Sequence, residues 1–186
     1  MNATPQEESK GVLWRTRMLV IGPMQYADGR QVREYVKQEL NPLGITVFDH
    51  YNKPFVSTVP EDEAARCELK RWMETEQYDK VSARREIRLM DLNLVDRADI
   101  ILFHFIPGVV TVGSWEEFFW AVRLKKPIFF VTEGGKKLTP YWVLWSIPHK
   151  YIYGSVDEAL DVIRGIDSGA ITADSARWRL LKSEYR

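Results

Sequence analysis

The stretch "IILFHFI" (residues 100–106) decides the fold, because it is apolar on both faces of a strand apart from His104. A strand with one exposed face alternates apolar and polar residues, whereas a continuous apolar run is typical of a parallel strand that helices cover on both sides. The stretch therefore predicts a central parallel strand. Within it, His104 is predicted to be a core histidine with a polar partner rather than a metal ligand.

Outward from this strand, helical and strand-like patterns alternate along the chain. A helical pattern with Ile87, Met90, Leu94 and Val95 on one face precedes the strand, and "VGSWEEFFWA" (112–121) follows it. The other predicted strands are "RMLVIGPM" (17–24), "ITVFDH" (45–50), "KPIFFVTE" (126–133) and "KYIYG" (150–154). Such alternation predicts an α/β fold with a mainly parallel, five-stranded sheet.

The order of the strands predicts where a ligand binds. In open parallel sheets, ligands bind beyond the carboxyl ends of the strands, at the point where the strand order reverses. If the order is 2-1-3-4-5, that point lies between the first and third strands. The loops that leave these strands are "GPMQYADGR" (22–30) and "PGVVTVGSWEE" (107–117).

Length and composition limit the class of protein. The 186 residues predict one domain over 15–167, with a flexible segment at 1–14, a tail at 168–186 and a polar insertion or lid at 51–80 that holds one helix from about Glu61 to Glu74. The formal net charge of +0 disfavours binding to a nucleic-acid polymer or a membrane surface. One cysteine and a polar, acidic start predict a reducing, cytoplasmic setting without a signal peptide.

The loop at 22–30 lacks both the dinucleotide fingerprint and the phosphate-binding loop of nucleotide enzymes, and no cofactor is expected. It still offers backbone N–H groups with Tyr26, Asp28 and Arg30 close to a helix start, which suits an anion. An ordinary strand-to-helix turn explains the same residues. The three histidines show no metal-ligand spacing, so no metal site is predicted.

Two carboxylates have both a structural and a chemical interpretation. Ser114 and Glu117 match a helix capping box, in which the helix dipole also keeps Glu117 charged. A charged, fixed carboxylate can instead attack a sugar carbon, as in retaining glycosidases. Asp91 fits a solvated helix face, and from spacing alone its chemical role stays open.

Three segments together resemble the nucleoside 2-deoxyribosyltransferase family, which includes related deoxynucleoside 5′-monophosphate N-glycosidases. They are the first strand with "IGPM", the segment "DLNLVDRADIILF" (91–103), and "GSWEEFFWA" (113–121), where Gly113, Glu117 and Ala121 match the family's signature. The resemblance implies a flavodoxin-like, doubly wound sheet and cleavage of the N-glycosidic bond of 2′-deoxynucleosides or their 5′-monophosphates. It implies that Glu117 is the nucleophile, that Asp91 handles the proton of the leaving base and that Tyr26 supports the nucleophile.

The resemblance also implies a substrate site and a homo-oligomer with shared active sites. The substrate-binding residues expected from it are Gly22, Pro23, Met24, Asp28, Arg30, Asp49, Thr111, Gly113 and Ser114. Thr111 stands where nucleoside transferases often carry an aspartate, and a hydroxyl there favours a 5′-phosphate because a carboxylate would repel it. Transfer of the sugar to a second base or to water stays open, as do a non-catalytic nucleotide-binding module and an NAD-type N-glycosidase.

Overall fold

A computed structural model describes residues 10–24, 29–51, 53–55, 59, 63–173 and 177–178. The elements in chain order are β1 (Arg17–Ile21), α1 (Gly29–Leu40), β2 (Thr46–Phe48), α2 (Glu63–Glu74), α3 (Tyr78–Ser82), α4 (Glu86–Arg97), β3 (Ile100–Phe105), α5 (Val112–Arg123), β4 (Ile128–Thr132), α6 (Tyr141–Ser146), β5 (Ile152–Tyr153) and α7 (Val156–Asp167). Short 3-10 helices cover Asn41–Leu43, Lys136–Leu138 and His149–Tyr151. In the part of the chain that the structure describes, no helix has the length and apolar character needed to cross a bilayer.

The five strands form one sheet in the order β2-β1-β3-β4-β5, and every neighbouring pair is parallel. This order confirms the predicted flavodoxin-like, doubly wound α/β fold. The apolar stretch at 100–106 contains β3, which is the central strand of the sheet, since β3 pairs with β1 on one side and with β4 on the other. The order reverses between β1 and β3, as the site prediction requires.

Helices cover both faces of the sheet because side chains of successive strand residues point to opposite faces. Leu102 of β3 packs into the core beneath α1 and α7, whereas Phe103 packs into the core beneath α4, α5 and α6. On this second face the rings of Phe103 and Phe118 meet edge to face, with centroids 5.5 Å apart. This contact fixes α5, and with it the residues of its first two turns, over the carboxyl end of the sheet.

The capping box predicted for Ser114 and Glu117 is wrong, because the helix starts earlier. Thr111 is the N-cap of α5, no side chain caps it, and Glu117 is the sixth helical residue. Ser114 instead donates its hydroxyl hydrogen to the carbonyl of Gly22, at 3.3 Å. At α7 a side chain does cap the helix, since Ser155 accepts from the N–H of Glu158 at 3.2 Å.

Two polar side chains near β3 have structural partners, and the prediction for His104 is confirmed. Asp99 accepts hydrogen bonds from the backbone N–H and the guanidinium of Arg17 at 2.8–3.0 Å. His104 is 5% exposed, and its Nε2 lies 2.9 Å from a carboxylate oxygen of Glu133. Neither residue is therefore available for chemistry at the site.

Near the C-terminus, Trp178 packs into the core beneath α7. Its side chain is 1% exposed, its ring meets Phe129 edge to face at 5.7 Å, and its indole N–H donates to the Tyr151 hydroxyl at 3.2 Å. The neighbouring Arg177 donates to the carbonyl of Ser146 at 2.8 Å. These contacts attach this part of the chain to the sheet.

Trp178→Ala is expected to lower the free energy of unfolding by about 3–5 kcal/mol, because it removes a buried indole and leaves a cavity. Urea unfolding followed by circular dichroism measures the change. The matched control is Trp145→Ala on α6, where the side chain is 72% exposed, and we expect a change within about 0.5 kcal/mol. Equal losses in both variants would show that Trp178 does not contribute to the core.

Candidate active site

A cavity of about 450 Å³ lies at the carboxyl ends of β1 and β3, at the point where the strand order reverses. It is lined by Gly22, Met24, His50, Ala65, Arg66, Leu69, Ile87, Asp91, Val110, Thr111, Val112, Gly113, Ser114 and Glu117. The loop after β1 supplies one wall, the first turns of α5 supply a second, and α2 and α4 close it. The cavity is large enough for a nucleotide-sized ligand.

Glu117 and His50 form a buried pair in this cavity. Glu117 is 5% exposed and His50 is 4% exposed, and Oε1 of the glutamate lies 2.5 Å from Nε2 of the histidine. Glu117 extends from the second turn of α5, and His50 follows the end of β2. The fold thus brings together two residues that are 67 positions apart.

Burial and mutual charge act on the protonation of this pair. Burial raises the pKa of Glu117, because a charged carboxylate is poorly solvated there, and the positive charge of His50 only partly reverses this. For His50, burial lowers the pKa, but the charge and hydrogen bond of Glu117 outweigh it, so the net direction is upward. Because the two groups interact this closely, their protonation is a property of the pair rather than of either residue.

Asp91 faces the same cavity from α4 and is paired with a lysine. The Nζ of Lys53 lies 2.7 Å from Oδ1 of Asp91, and the lysine side chain is 5% exposed against 25% for the aspartate. One oxygen of Asp91 is thus occupied by an ammonium group. An ion pair this far out of water is screened less than a surface pair.

Three arginines surround the ring of Tyr51 beside the cavity. The guanidinium carbons of Arg30, Arg33 and Arg66 lie 4.9, 5.5 and 4.8 Å from the ring centroid. Arg66 belongs to α2 and lines the cavity. The arrangement gives this side of the site a positive potential that favours an anionic ligand.

Arg33 is the structural member of this group. It is 1% exposed and donates to the carbonyls of Gly29, Gly22 and Pro23 at 2.9, 3.1 and 3.3 Å, and burial lowers its pKa. A Cβ at position 29 would lie 2.2 Å from both Pro23 O and the Arg33 guanidinium, so only glycine fits there. These contacts fix Gly22 and Pro23, just after β1, beside the cavity.

The structure brings most of the predicted site residues together. Gly22, Met24, Asp91, Thr111, Gly113, Ser114 and Glu117 all line the cavity. The side chains of Arg30 and Asp49 are placed outside the cavity wall: Arg30 lies on Tyr51, and the buried Asp49 pairs with Lys37. Pro23 contributes a carbonyl to Arg33. Tyr26 and Asp28 lie outside the described residues, so their predicted roles stay predictions.

Sequence reasoning missed His50, Lys53 and Arg66. The signal for His50 was its position at the end of the predicted strand "ITVFDH", at the same sheet edge as the predicted loops. A search for metal-ligand spacing could not find it, because its partner is distant along the chain. For Lys53 and Arg66, which lie in the polar segment 51–80, no sequence signal distinguishes them from solvated residues.

His50, Asp91 and Glu117 have donor atoms within 4.8 Å of one another, a spacing that suits a metal ion. Their existing partners argue against that use. His50 and Glu117 already contact each other at 2.5 Å, and the Lys53 ammonium would repel a cation placed beside Asp91. The arrangement is better suited to proton transfer and nucleophilic attack.

No protein-family model matches the sequence, and no curated protein matches it. Among solved structures, a 2-deoxyribosyltransferase from Bacillus psychrosaccharolyticus is similar at 17% identity, with 71% of this chain and 82% of that chain covered and a TM-score of 0.48. The Clostridium botulinum CMP N-glycosidase is similar at 18% identity, with 80% and 98% covered and a TM-score of 0.44. A Leishmania mexicana 2-deoxyribosyltransferase is similar at 12% identity, with 65% and 67% covered and a TM-score of 0.44. At these values the function has to be argued from the site itself.

Proposed function

We propose that the protein cleaves the N-glycosidic bond of 2′-deoxynucleosides or their 5′-monophosphates, with Glu117 as the nucleophile. The observation that carries the proposal is the separation of the two carboxylates, since oxygens of Asp91 and Glu117 lie within 4.8 Å of each other across the cavity. Glycosidases with carboxyl groups about 5–5.5 Å apart form a covalent intermediate, whereas separations of about 6.5–9.5 Å leave room for direct attack by water. The short separation favours a covalent intermediate.

The reaction then has two displacements at C1′. In the first, a carboxylate oxygen of Glu117 bonds to C1′ while the bond from C1′ to the base nitrogen breaks, and the base takes the bonding electrons and a proton. In the second, water or another base attacks C1′, and Glu117 leaves as a carboxylate. Asp91 lies beside the reacting atoms in both steps, where its charge stabilises the positive charge that develops on the sugar.

The start of α5, on the same wall of the cavity as Glu117, suits a 5′-phosphate. Thr111 supplies a hydroxyl, and the first turn of α5 at Val112 and Gly113 presents the N–H groups that a helix start leaves without helical partners. Arg66 adds a positive charge on the same cavity. These features support a deoxynucleoside 5′-monophosphate as the preferred substrate.

Incubation with a panel of deoxynucleosides and their 5′-monophosphates, with and without a second base, tests the proposal. We expect release of free base, detected by chromatography, and a mass increase on Glu117 when a donor with a slowly hydrolysed 2-fluoro sugar is added. Binding measured by calorimetry without base release would favour a nucleotide-binding module. Base release from NAD alone would favour an NAD-type N-glycosidase.

Arg66→Ala is expected to raise the KM for a deoxynucleoside 5′-monophosphate about 10–100-fold, because a hydrogen bond to a charged group contributes about 1.5–3 kcal/mol. The KM for the matching deoxynucleoside should stay unchanged, since it carries no phosphate. Steady-state kinetics on both substrates measures the difference. The control is Arg71→Ala, on the same helix but with its side chain 67% exposed. An equal rise in KM for both substrates would show that Arg66 does not bind the phosphate.

A further inference from the structure

The ion pair of Lys53 and Asp91 limits what Asp91 can do in the proposed reaction. Asp91 lines the cavity, whereas Lys53 is 5% exposed and contacts Oδ1 of Asp91 at 2.7 Å. A carboxylate that pairs with an ammonium group is in its charged form, and a charged carboxylate only accepts hydrogen bonds. Through this contact Asp91 acts as an acceptor toward Lys53, so its Oδ1 is not available to donate a proton to a leaving base.

The pair of His50 and Glu117 does carry a proton, and it lines the same cavity. While Glu117 is a carboxylate, it holds that proton on His50 through the 2.5 Å contact. Once Glu117 becomes an ester at C1′, it loses its negative charge and no longer stabilises the protonated imidazole. The proton on Nε2 of His50 thus becomes more acidic at the moment when the leaving base needs it.

We propose that His50, rather than Asp91, donates the proton to the leaving base, and that Lys53 is a positioning residue that keeps Asp91 a charged acceptor. The assignment rests on the proposed function. The bond from C1′ to Glu117 forms, the bond from C1′ to the base nitrogen breaks, and the nitrogen keeps the electron pair and takes the proton from His50. In the second displacement, the attacking water or base returns a proton to His50, which restores the starting pair.

Leaving-group dependence tests this assignment. The donors are deoxynucleotides that share the ring type accepted in the panel and differ in the acidity of the base. For purines the series ends with 7-methylguanine, which needs no proton to leave, and for pyrimidines it ends with the most acidic substituted uracil. For His50→Gln we expect a loss in kcat of about 10²–10⁴-fold on the ordinary base, which is the usual contribution of a general acid. The loss should shrink to less than about tenfold on the most acidic base, because proton donation no longer matters there.

Asp91→Asn, Lys53→Met and Lys53→Arg complete the test. We expect Asp91→Asn and Lys53→Met to lower kcat by a similar factor on every donor, since both remove charge stabilisation rather than a proton. Lys53→Arg should restore most of the activity, because arginine keeps the ion pair. A purely structural role of Lys53 would not produce rescue by arginine together with a constant loss across the series.

The outcomes separate this assignment from the proposed function. If the unchanged protein releases no base from any donor, the proposed function fails. If it releases base and the steep dependence appears in Asp91→Asn, Asp91 is the acid and the inference about His50 is wrong. The inference is also overturned if the loss in kcat depends on the leaving group equally in all variants. The same holds if this dependence is steep in both His50→Gln and Asp91→Asn. The thermal unfolding midpoint of each variant identifies any that fail to fold. In that case His50→Asn replaces His50→Gln, and Asp91→Ser replaces Asp91→Asn.

Discussion

Glu117→Gln is expected to lower base release by at least about 10⁴-fold, because an amide cannot form the covalent bond to C1′ on which the two-step route depends. Glutamine has nearly the same shape, so it keeps the buried position beside His50 and leaves the cavity intact. Release of base from the preferred deoxynucleotide, followed by chromatography over hours, measures the loss. Substrate binding, measured by calorimetry, should change much less.

The adjacent Glu116 provides the matched control. Its side chain is 37% exposed and pairs with Arg88 on the protein surface. Glu116→Gln makes the same chemical change one residue away, and we expect its activity to stay within about twofold, since an exposed ion pair contributes about 0–1 kcal/mol. Activity retained in Glu117→Gln would show that Glu117 is not the nucleophile. Equal losses in Glu117→Gln and Glu116→Gln would indicate damage to α5 rather than loss of a catalytic group.

The fold could be predicted from the sequence because its signals are local. The apolar run at 100–106 has one compatible setting, a strand covered on both faces, and the helical patterns on either side supply the covering helices. With the assumed strand order 2-1-3-4-5, the loops after β1 and β3 lie at one edge of the sheet, and the structure has this order. The position of the candidate site was therefore predictable before any contact was known.

The electrostatics of the site could not be predicted in the same way. The same sequence is compatible with Glu117 as a capping residue and with Glu117 as the buried partner of His50. Only the packing of α5 on β3 decides between these two roles. The helix starts at Val112, so Glu117 is too far along it to cap, and its carboxylate is buried instead. Lys53 reaches Asp91 from 38 residues away, which no periodic pattern in the sequence encodes.

The activity is expected to depend on pH in a bell shape, with both limbs set by the pair of Glu117 and His50. In the proposed mechanism, the active form holds one proton, with Glu117 charged and His50 protonated. As the pH falls through the pKa of Glu117, which burial raises, a second proton neutralises the nucleophile. As the pH rises through the pKa of His50, which Glu117 raises, the proton donor is lost. The rate of base release should fall about tenfold per pH unit beyond each limb.

The two limbs lie at higher pH than an ordinary carboxylate and an ordinary histidine would give, because both pKa values are raised. Since the groups interact, each limb belongs to the pair rather than to one residue. The charge of Asp91 also raises the pKa of His50 and that of Arg33 lowers it, so the profile is compared in variants that keep both residues. His50→Gln should remove the alkaline limb and move the acid limb upward, because Glu117 loses the positive charge that opposes the effect of burial. An alkaline limb that survives unchanged in His50→Gln would assign that limb to another group and separate His50 from the proton step.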